Sequence, residues 1–316
     1  MATHERKVEE GYEVVTCPMC HGHEAKPMFL KGPSKIVRCR SCCLVYASMR
    51  PRESAMTSIY SDKYFQERSR VSEEFLEGQR TLHDVMGEKI LRRLGKPSPG
   101  DHLLDIGCGV GKFLLHAREY GWDVAGIEPS AYAAAYARES LGLNVQTGLF
   151  RAGEYPAALY RAVVLLDVIE HFYDPLAMLR EIHQILQSDG CCALTTPNFR
   201  GLSTFLFGGD NYALDATLAG PGHVTFFSPA TLRAMLRAVG FARIKLWTGE
   251  IYLKNFTDLL RRLFASRRSS AELHGQARRL LRPKWWTVAL YHMVNWVLKT
   301  TRLGDQITVL AFKEKG

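Results

Sequence analysis

A glycine-rich turn preceded by an acid is the first stretch of the sequence that could do chemistry. It lies in HLLDIGCGVGKFL, which starts at residue 102, and it comprises Asp105, Gly107, Cys108, Gly109 and Gly111. The apolar run before the turn and the helical spacing after it predict a strand, a tight turn and a helix. Open α/β sheets bind nucleotides at such a unit, but a dinucleotide fingerprint would need a glycine where Lys112 stands.

Acidic residues indicate which nucleotide this turn binds. Asp105 would lie close to a pyrophosphate and repel it, whereas S-adenosylmethionine has no phosphate and carries an ammonium group that attracts an acid. Glu128 ends the second predicted strand, where it can accept hydrogen bonds from both ribose hydroxyls. Asp167 ends the fourth predicted strand, across the same cleft. Together these acids favour S-adenosylmethionine over a dinucleotide, another nucleotide or a turn that only shapes the chain.

Two Cys-x-x-Cys pairs near the N-terminus have the spacing of a metal site. The pairs are separated by 18 residues and consist of Cys17, Cys20, Cys39 and Cys42. Each pair places two thiolates on one tight knuckle, and two knuckles complete a tetrahedral zinc site. Four thiolates leave no open coordination position, so we expect the zinc to be structural. The alternative is four unpaired cysteines in a core.

The elements that must position these residues alternate in type from residue 101 onward. Six apolar strand patterns follow one another between residues 101 and 249, separated by helical patterns, and QITVLAFK near the C-terminus is the seventh. This alternation predicts an α/β fold with a parallel sheet covered on both faces. The expected organisation is an arm at 1–16, a zinc-binding ribbon at 17–50, a helical connector at 51–100 and a nucleotide-binding domain at 101–316, with an insertion at 250–303.

These motifs resemble those of the class I S-adenosylmethionine-dependent methyltransferases. LLDIGCGVGKFL resembles their first motif, GIEPS their second and LLDVIEHFYDP their fourth-strand motif. GHVTFFSPATLRAMLRAVGF is similar to a late segment of the branch that contains ubiquinone-pathway O-methyltransferases and many small-molecule enzymes. An N-terminal four-cysteine knuckle also recurs among methyltransferases of sugars and secondary metabolites. The resemblance covers about residues 100–249 and 304–316.

The resemblance carries expectations about the fold and the cofactor site. It implies a Rossmann-like, seven-stranded sheet that is mostly parallel, with the last strand inserted antiparallel. It also implies that Glu128 holds the ribose, that Gly107 and Gly109 line the methionine end, and that the region of Leu149 borders the adenine. The sequence departs from the family in QTGLF after the third strand, which offers no acid for the adenine amine.

Two histidines are candidate general bases for a hydroxyl acceptor, because imidazole exchanges protons near neutral pH. They are His171, after the fourth strand, and His223, in GPGHVTFF. The alternative for each is a hydrogen bond to the backbone that shapes the pocket. The resembled quinone-pathway enzymes have an acid-x-x-Glu-His cluster proposed to hold a divalent cation. Asp167, Glu170 and His171 form such a cluster and could hold Mg²⁺, although this is the less favoured interpretation.

The positive charge of the chain is concentrated near its C-terminus. From residue 251 onward, 13 Lys and Arg stand against four Asp and Glu, an excess equal to the net charge of +9. The insertion at 250–303 combines this charge with the aromatic face of WWTVALYHMVNWVL. It could be a lid over the substrate pocket, an interfacial helix on an anionic membrane, or a nucleic-acid contact; grouped rather than interleaved aromatics make nucleic acid the least favoured.

The N-terminal sequence bears on location. It is charged in MATHERKVEE, without an apolar signal region, and no apolar run approaches the roughly 20 residues of a membrane-spanning helix. A cytoplasmic protein is therefore expected, with peripheral membrane contact through the insertion as an option.

The combined expectation is an enzyme that methylates a small-molecule or lipid-linked acceptor in secondary-metabolite or lipid biosynthesis. Oxygen is the favoured acceptor atom, with nitrogen or carbon as alternatives. The zinc ribbon and the basic insertion make an RNA methyltransferase the second hypothesis. A third hypothesis is a non-catalytic scaffold that retains the fold, which the intact glycine turn and Glu128 argue against.

Overall fold

The computed structural model of the chain gives two sheets and the helices that surround them. The residues that it describes are 11–31, 33–52, 82–151, 153–202, 204, 223–249, 293, 298 and 300–315. Within these ranges, no helix is both long and apolar enough to cross a bilayer. Most of the connector predicted at 51–100 and nearly all of the insertion predicted at 250–303 lie outside the described residues, so their interpretations stay predictions.

The N-terminal sheet is antiparallel and contains the cysteine pairs. Its strands, β1 Tyr12–Val14, β2 Ala25–Lys31, β3 Ser34–Cys39 and β4 Val45–Pro51, lie in the order β1-β4-β3-β2. The first Cys-x-x-Cys pair precedes β2, and the second joins β3 to β4. β1 lies within the segment predicted as an arm and pairs with the outer end of β4.

The large sheet has the predicted seven strands. They are β5 His102–Ile106, β6 Asp123–Glu128, β7 Val145–Thr147, β8 Tyr160–Leu166, β9 Leu186–Pro197, β11 Arg243–Gly249 and β12 Gln306–Phe312. The order is β11-β12-β9-β8-β5-β6-β7, and the pairs among β5 to β9 are parallel. β12 runs antiparallel to both β9 and β11. The Rossmann-like α/β fold expected from the sequence is thereby confirmed.

The helices in the described ranges are α1 Leu82–Leu94, α2 Lys112–Glu119, α3 Ala131–Glu139, α4 Pro175–Ile185 and α5 Pro229–Val239. The last three begin at a short polar side chain that caps the first turn. Ser130, Asp174 and Ser228 each accept a hydrogen bond from a backbone amide in the first turn of α3, α4 and α5. Such caps satisfy amides that have no partner within the helix, and Pro175 and Pro229 suit the first helical position.

A two-residue strand from the larger domain pairs with the N-terminal sheet. In the chain, β10, Thr225–Phe226, lies between strand β9 and helix α5 of the larger domain. It pairs antiparallel with β4 of the N-terminal sheet. The same core cluster contains Cys17, Leu44 and Tyr46 of the N-terminal module together with Ile169 and Phe227 of the larger domain. The N-terminal module is therefore packed on the larger domain through a shared core and a shared sheet.

Candidate functional site

The carboxyl ends of the parallel strands bring the predicted nucleotide-binding residues to one edge of the sheet. Asp105 lies near the end of β5, Glu128 is the last residue of β6 and Asp167 follows β8. In open α/β sheets ligands bind outside this edge, at the point where strand order reverses. Here the reversal lies between β5 and β8, because β6 follows β5 on one side and β8 pairs with β5 on the other.

The glycine turn leaves room beside its backbone. Gly109 has a φ of 55°, and a Cβ built on it would meet nothing within 4 Å. Gly107 has a φ of 73°, and a Cβ there would lie 2.7 Å from Cγ2 of Val168. Both positions thus require left-handed backbone, which glycine adopts without steric cost. The turn can therefore approach a ligand closely at Gly109, while Gly107 packs against the segment that follows β8.

Glu128 is held in a fixed orientation by the turn that it faces. The amide of Gly109 donates to its Oε2 at 2.8 Å, and the amide of Ser130 donates to its Oε1 at 2.9 Å. The residue is only 3% exposed. Each carboxylate oxygen can accept more than one hydrogen bond, so both retain acceptor capacity for a pair of ligand hydroxyls.

The two buried acids at this edge are electrostatically costly. Burial raises the pKa of Asp105 well above its usual range, and the charge of Glu128 raises it further. Burial also raises the pKa of Glu128, although the amides of Ser130 and Gly109 act in the opposite direction. The pKa of the Cys108 thiol is raised by burial and by both acids. A cationic ligand would relieve the repulsion between the two carboxylates, whereas an anion would increase it.

Asp167 has an unusual backbone conformation that two other strands stabilise. Its φ is 56°, which is uncommon for a residue other than glycine. Thr195 of β9 accepts a hydrogen bond from the amide of Asp167 and donates one to its Oδ1. Gln306 of β12 also donates to Oδ1. The structure therefore places Asp167 at the predicted edge, and its contact with a cofactor stays a prediction.

Glu170, His171 and His223 form a compact cluster next to this edge. Their ligand atoms lie within 4.8 Å of one another, and Nε2 of His223 is 3.8 Å from Oε1 of Glu170. Glu170 is 1% exposed, and its Oε2 accepts from Thr196. Among the described residues, Oε1 has no hydrogen-bond partner. The two imidazole rings pack edge to face with their centroids 4.9 Å apart.

The composition of this cluster bears on the predicted cation. Burial raises the pKa of Glu170 well above its usual range, and the charge of Asp167 raises it further. The grouped donors are one carboxylate and two imidazoles, whereas Asp167, the third predicted ligand, is not among them. Mg²⁺ prefers oxygen ligands, so the arrangement suits an acid–histidine pair better than a magnesium site.

The four predicted cysteines meet as the spacing requires. Their sulfurs lie within 4.8 Å of one another, with Cys17 Sγ 3.4 Å from Cys42 Sγ and Cys20 Sγ 3.5 Å from Cys39 Sγ. Tetrahedral zinc with Zn–S bonds of about 2.3 Å requires sulfurs roughly 3.8 Å apart. Burial acts to raise the pKa of Cys39, but the amide of Cys42 and the side chain of Cys20 lower it to about 7. The cluster can therefore hold a tetrahedral metal.

Sequence reasoning missed the residues that hold the acids in place. Thr195 and Thr196 are neighbours on β9, and because side chains alternate along a strand, one contacts Asp167 and the other Glu170. The available signal was the Thr-Thr pair that follows the apolar run CCAL near the end of β9. Leu149, predicted to border the adenine, is half-buried just beyond β7, and that role stays a prediction.

Comparison with known proteins identifies a family. A family model described as a methyltransferase domain matches residues 78–246, which is more than half of the chain. A ubiquinone biosynthesis O-methyltransferase of Thiobacillus denitrificans is 30% identical over 165 residues, covering 49% of this chain and 70% of that protein. The protein of the same name from Psychrobacter arcticus is 31% identical over 159 residues, and the match covers 46% of this chain and 60% of that protein.

A solved structure shows a similar fold. The crystal structure of an S-adenosylmethionine-dependent methyltransferase from Thermotoga maritima has a TM-score of 0.50 and 17% sequence identity. The match covers 80% of this chain and 99% of that one. At this level of identity the likeness concerns the fold alone.

The buried Asp105 makes stability depend on pH in a defined direction. Because the pKa of Asp105 is higher in the folded than in the unfolded chain, the folded protein loses stability as pH rises above about 4, where the unfolded residue ionises. Asp105→Asn should therefore raise the free energy of unfolding at pH 7.5. The increase should be smaller at pH 5. Urea unfolding at both pH values measures this, with Glu139→Gln, an exposed change at the end of α3, as control. A variant less stable than wild type at pH 7.5 would contradict the assignment.

Proposed function

Because the chain belongs to the class I S-adenosylmethionine-dependent methyltransferases, we propose that it methylates a hydroxyl oxygen of a small-molecule or lipid-linked acceptor. The similar curated proteins are named ubiquinone biosynthesis O-methyltransferases, which supports oxygen as the acceptor atom. These matches span 60% to 70% of the relatives' own lengths. The observation that carries the proposal for this chain is the buried Glu170 beside the partly exposed His223, at the edge where the glycine turn lies.

The residues at the sheet edge fit S-adenosylmethionine. Glu128 presents a carboxylate fixed by two backbone amides and suits the ribose hydroxyls. Gly109 leaves open space for the methionine end, and Asp105 supplies a buried negative charge for its ammonium group. Gly107, Cys108 and Gly111 complete the turn, while Asp167 and Leu149 flank it in the proposed site. A cationic ligand would lower the pKa values of the two acids, which burial raises.

The proposed chemistry is an in-line displacement. When bound, S-adenosylmethionine supplies a methyl group on a sulfonium, and the sulfur is the leaving group, which departs as a neutral thioether. The site's residues then have two tasks: to align the acceptor oxygen with the methyl group, and to take the hydroxyl proton. We assign the proton to the imidazole of His223. Its positive charge, 3.8 Å from Glu170, would lower the pKa that burial raises there, and the resulting carboxylate would stabilise the imidazolium.

Packing links the proposed base to the cofactor turn. Val168 contacts Gly107 of the turn, and the following 3₁₀ turn, Ile169–His171, carries Glu170 and His171. His223 meets this turn from the other side, since the amide of Val224 donates to the carbonyl of Glu170 at 3.0 Å. The side chain of His223 is 21% exposed, so an acceptor can reach it. His171 packs against His223 in this scheme and orients it.

The four cysteines are proposed to hold a structural zinc ion. Their sulfurs occupy all four tetrahedral positions, so the ion would stabilise the N-terminal module and take no part in methyl transfer.

Glu128→Gln should weaken S-adenosylmethionine binding about 10- to 100-fold, because charge-assisted hydrogen bonds to the ribose contribute roughly 1.5–3 kcal/mol. Isothermal titration calorimetry measures the dissociation constant. Glu119→Gln, an exposed change at the end of α2, should leave it unchanged. Wild-type affinity in a folded Glu128→Gln protein would rule out the ribose contact.

The acceptor class can be read from incubation with methyl-labelled S-adenosylmethionine and a cell extract separated into RNA, lipid and small-metabolite fractions. Label should enter the lipid or small-metabolite fraction and resist alkaline hydrolysis, as a methyl ether does. With that fraction as substrate, His223→Asn should lower kcat by about 10²- to 10⁴-fold, the usual contribution of a general base. Label in RNA, or a His223→Asn enzyme with unchanged kcat, would contradict the proposal.

Metal analysis of the purified protein tests the zinc site. Mass spectrometry of the metal content should find about one zinc ion per chain, and Cys39→Ser should lose it and unfold at a lower temperature. Cys43→Ser is the matched control, because Cys43 is an exposed neighbour that is not part of the four-cysteine cluster. Equal zinc content in the Cys39→Ser and wild-type proteins would count against four-thiolate coordination.

A further inference from the structure

The strand that leaves the cysteine cluster is also the strand that holds the His223 segment. Tyr46 and Val45 of β4 pair with Thr225 and Phe226 of β10. Beyond the pair, the amide of Ala47 donates to the carbonyl of Val224 at 2.9 Å. Val224 follows His223 directly in the chain. The backbone of the proposed base is therefore one residue from a ladder that belongs to the N-terminal sheet.

The far end of the same strand contacts the segment that carries His171. Arg50 of β4 is 8% exposed, and its Nη1 donates to the carbonyl of Tyr173 at 2.9 Å. Its guanidinium carbon lies 4.1 Å from the centroid of the Tyr173 ring. The hydroxyl of Tyr173 donates back to the carbonyl of Pro51 at 2.6 Å, and Glu13 of β1 pairs with Arg50 at 2.8 Å. Tyr173 lies two residues after His171.

The cysteine cluster determines where this strand begins. Cys42 is separated from Val45, the first residue of β4, by only two residues. The amide of Cys43 donates to the carbonyl of Cys39 at 3.1 Å, and the amide of Cys39 donates to the carbonyl of Leu44 at 2.9 Å. These bonds form the tight knuckle that leads into the strand. A change in the geometry of the cluster should therefore shift the first residues of β4, which lie only a few covalent bonds away.

We infer that β4 positions the proposed catalytic cluster: it holds the His223 segment at one end and the His171 segment at the other. Arg50 is the positioning residue at the far end, and the cysteine knuckle anchors the near end. The inference rests on the proposed role of His223 as the base. It adds that the N-terminal module is required for the chemical step and not for cofactor binding, because β4 contacts the histidine segments and the acids that suit the cofactor lie on β5 and β6.

The physical reason is that two segments distant in sequence must meet within a few ångströms. Glu170 and His223 belong to separate loops, and their direct backbone link is the bond from Val224 to Glu170. A hydrogen-bonded strand that contacts both loops limits their relative motion. Misplacement of a catalytic group by about 1 Å can lower a rate 10²-fold, so loss of this contact should appear in kcat.

The experiment compares Arg50→Gln with Arg52→Gln. The second variant replaces an exposed arginine just beyond the same strand. Hydrogen–deuterium exchange should be at least tenfold faster in Arg50→Gln for the peptide covering 169–174, which Arg50 contacts, and for the peptide covering 223–228. The value of kcat should fall about tenfold or more. The dissociation constant of S-adenosylmethionine should stay within twofold, and Arg52→Gln should match wild type throughout. Removal of metal from the wild-type protein with a chelator should accelerate exchange in the peptide covering 223–228, which pairs with the cysteine end of β4.

The outcomes separate this inference from the proposed function. If exchange in 223–228 accelerates but kcat does not fall, and His223→Asn is also fully active, the assignment of the base fails along with the catalytic part of the inference. If His223→Asn is inactive while Arg50→Gln retains wild-type exchange and kcat, the base stands and the positioning role is wrong. A loss of S-adenosylmethionine affinity in Arg50→Gln equal to its loss of kcat would indicate a general structural role and would also overturn the inference.

Discussion

Two carboxylates buried side by side at the carboxyl edge of a parallel sheet are the constraint on which the site depends. Burial raises the pKa of both Asp105 and Glu128, and the charge of Glu128 raises the pKa of Asp105 further. Backbone amides of Gly109 and Ser130 compensate Glu128 only in part. Such a pair lowers the stability of the folded chain, and buried acids with perturbed pKa values concentrate at functional sites. A donor with a cationic sulfur and an ammonium group would relieve this cost, whereas a phosphate group would increase it.

The chain around the acids is arranged to keep them in place. The glycines allow the turn to fold back onto Glu128. Gly107 also allows Val168 to pack closely, so the glycine turn contacts the segment that leads into the histidine cluster. Thr195, Thr196 and Gln306 then fix Asp167 and Glu170 from the neighbouring strands. Stability and chemistry are thus in tension at this edge, because the same polar groups that destabilise the core determine what it can bind.

The N-terminal module is integrated with the larger domain and not tethered to it. β4 belongs to one sheet by its pairing with β1 and β3, yet β10 of the other domain extends that sheet, and both domains contribute to one core cluster. A metal site that only stabilised a separate ribbon would need none of these contacts. The shared strand connects the four-cysteine cluster to the segments that carry both histidines.

The sequence by itself determined the order and type of the seven large-sheet strands and of the helices between them, the glycine turn, three helix caps and the two cysteine pairs. Each of these is a local pattern: apolar periodicity, positive-φ glycine, a Ser or Asp before Pro, or two thiols on one knuckle. It also indicated Glu128 and Asp105, because the ends of parallel strands meet at one edge. Only the tertiary structure decided that Glu170 pairs with His223, and that β10 joins β4. Those contacts link segments far apart in the chain, and their residues leave no periodic trace, because side-chain packing and hydrogen-bond geometry in three dimensions select them.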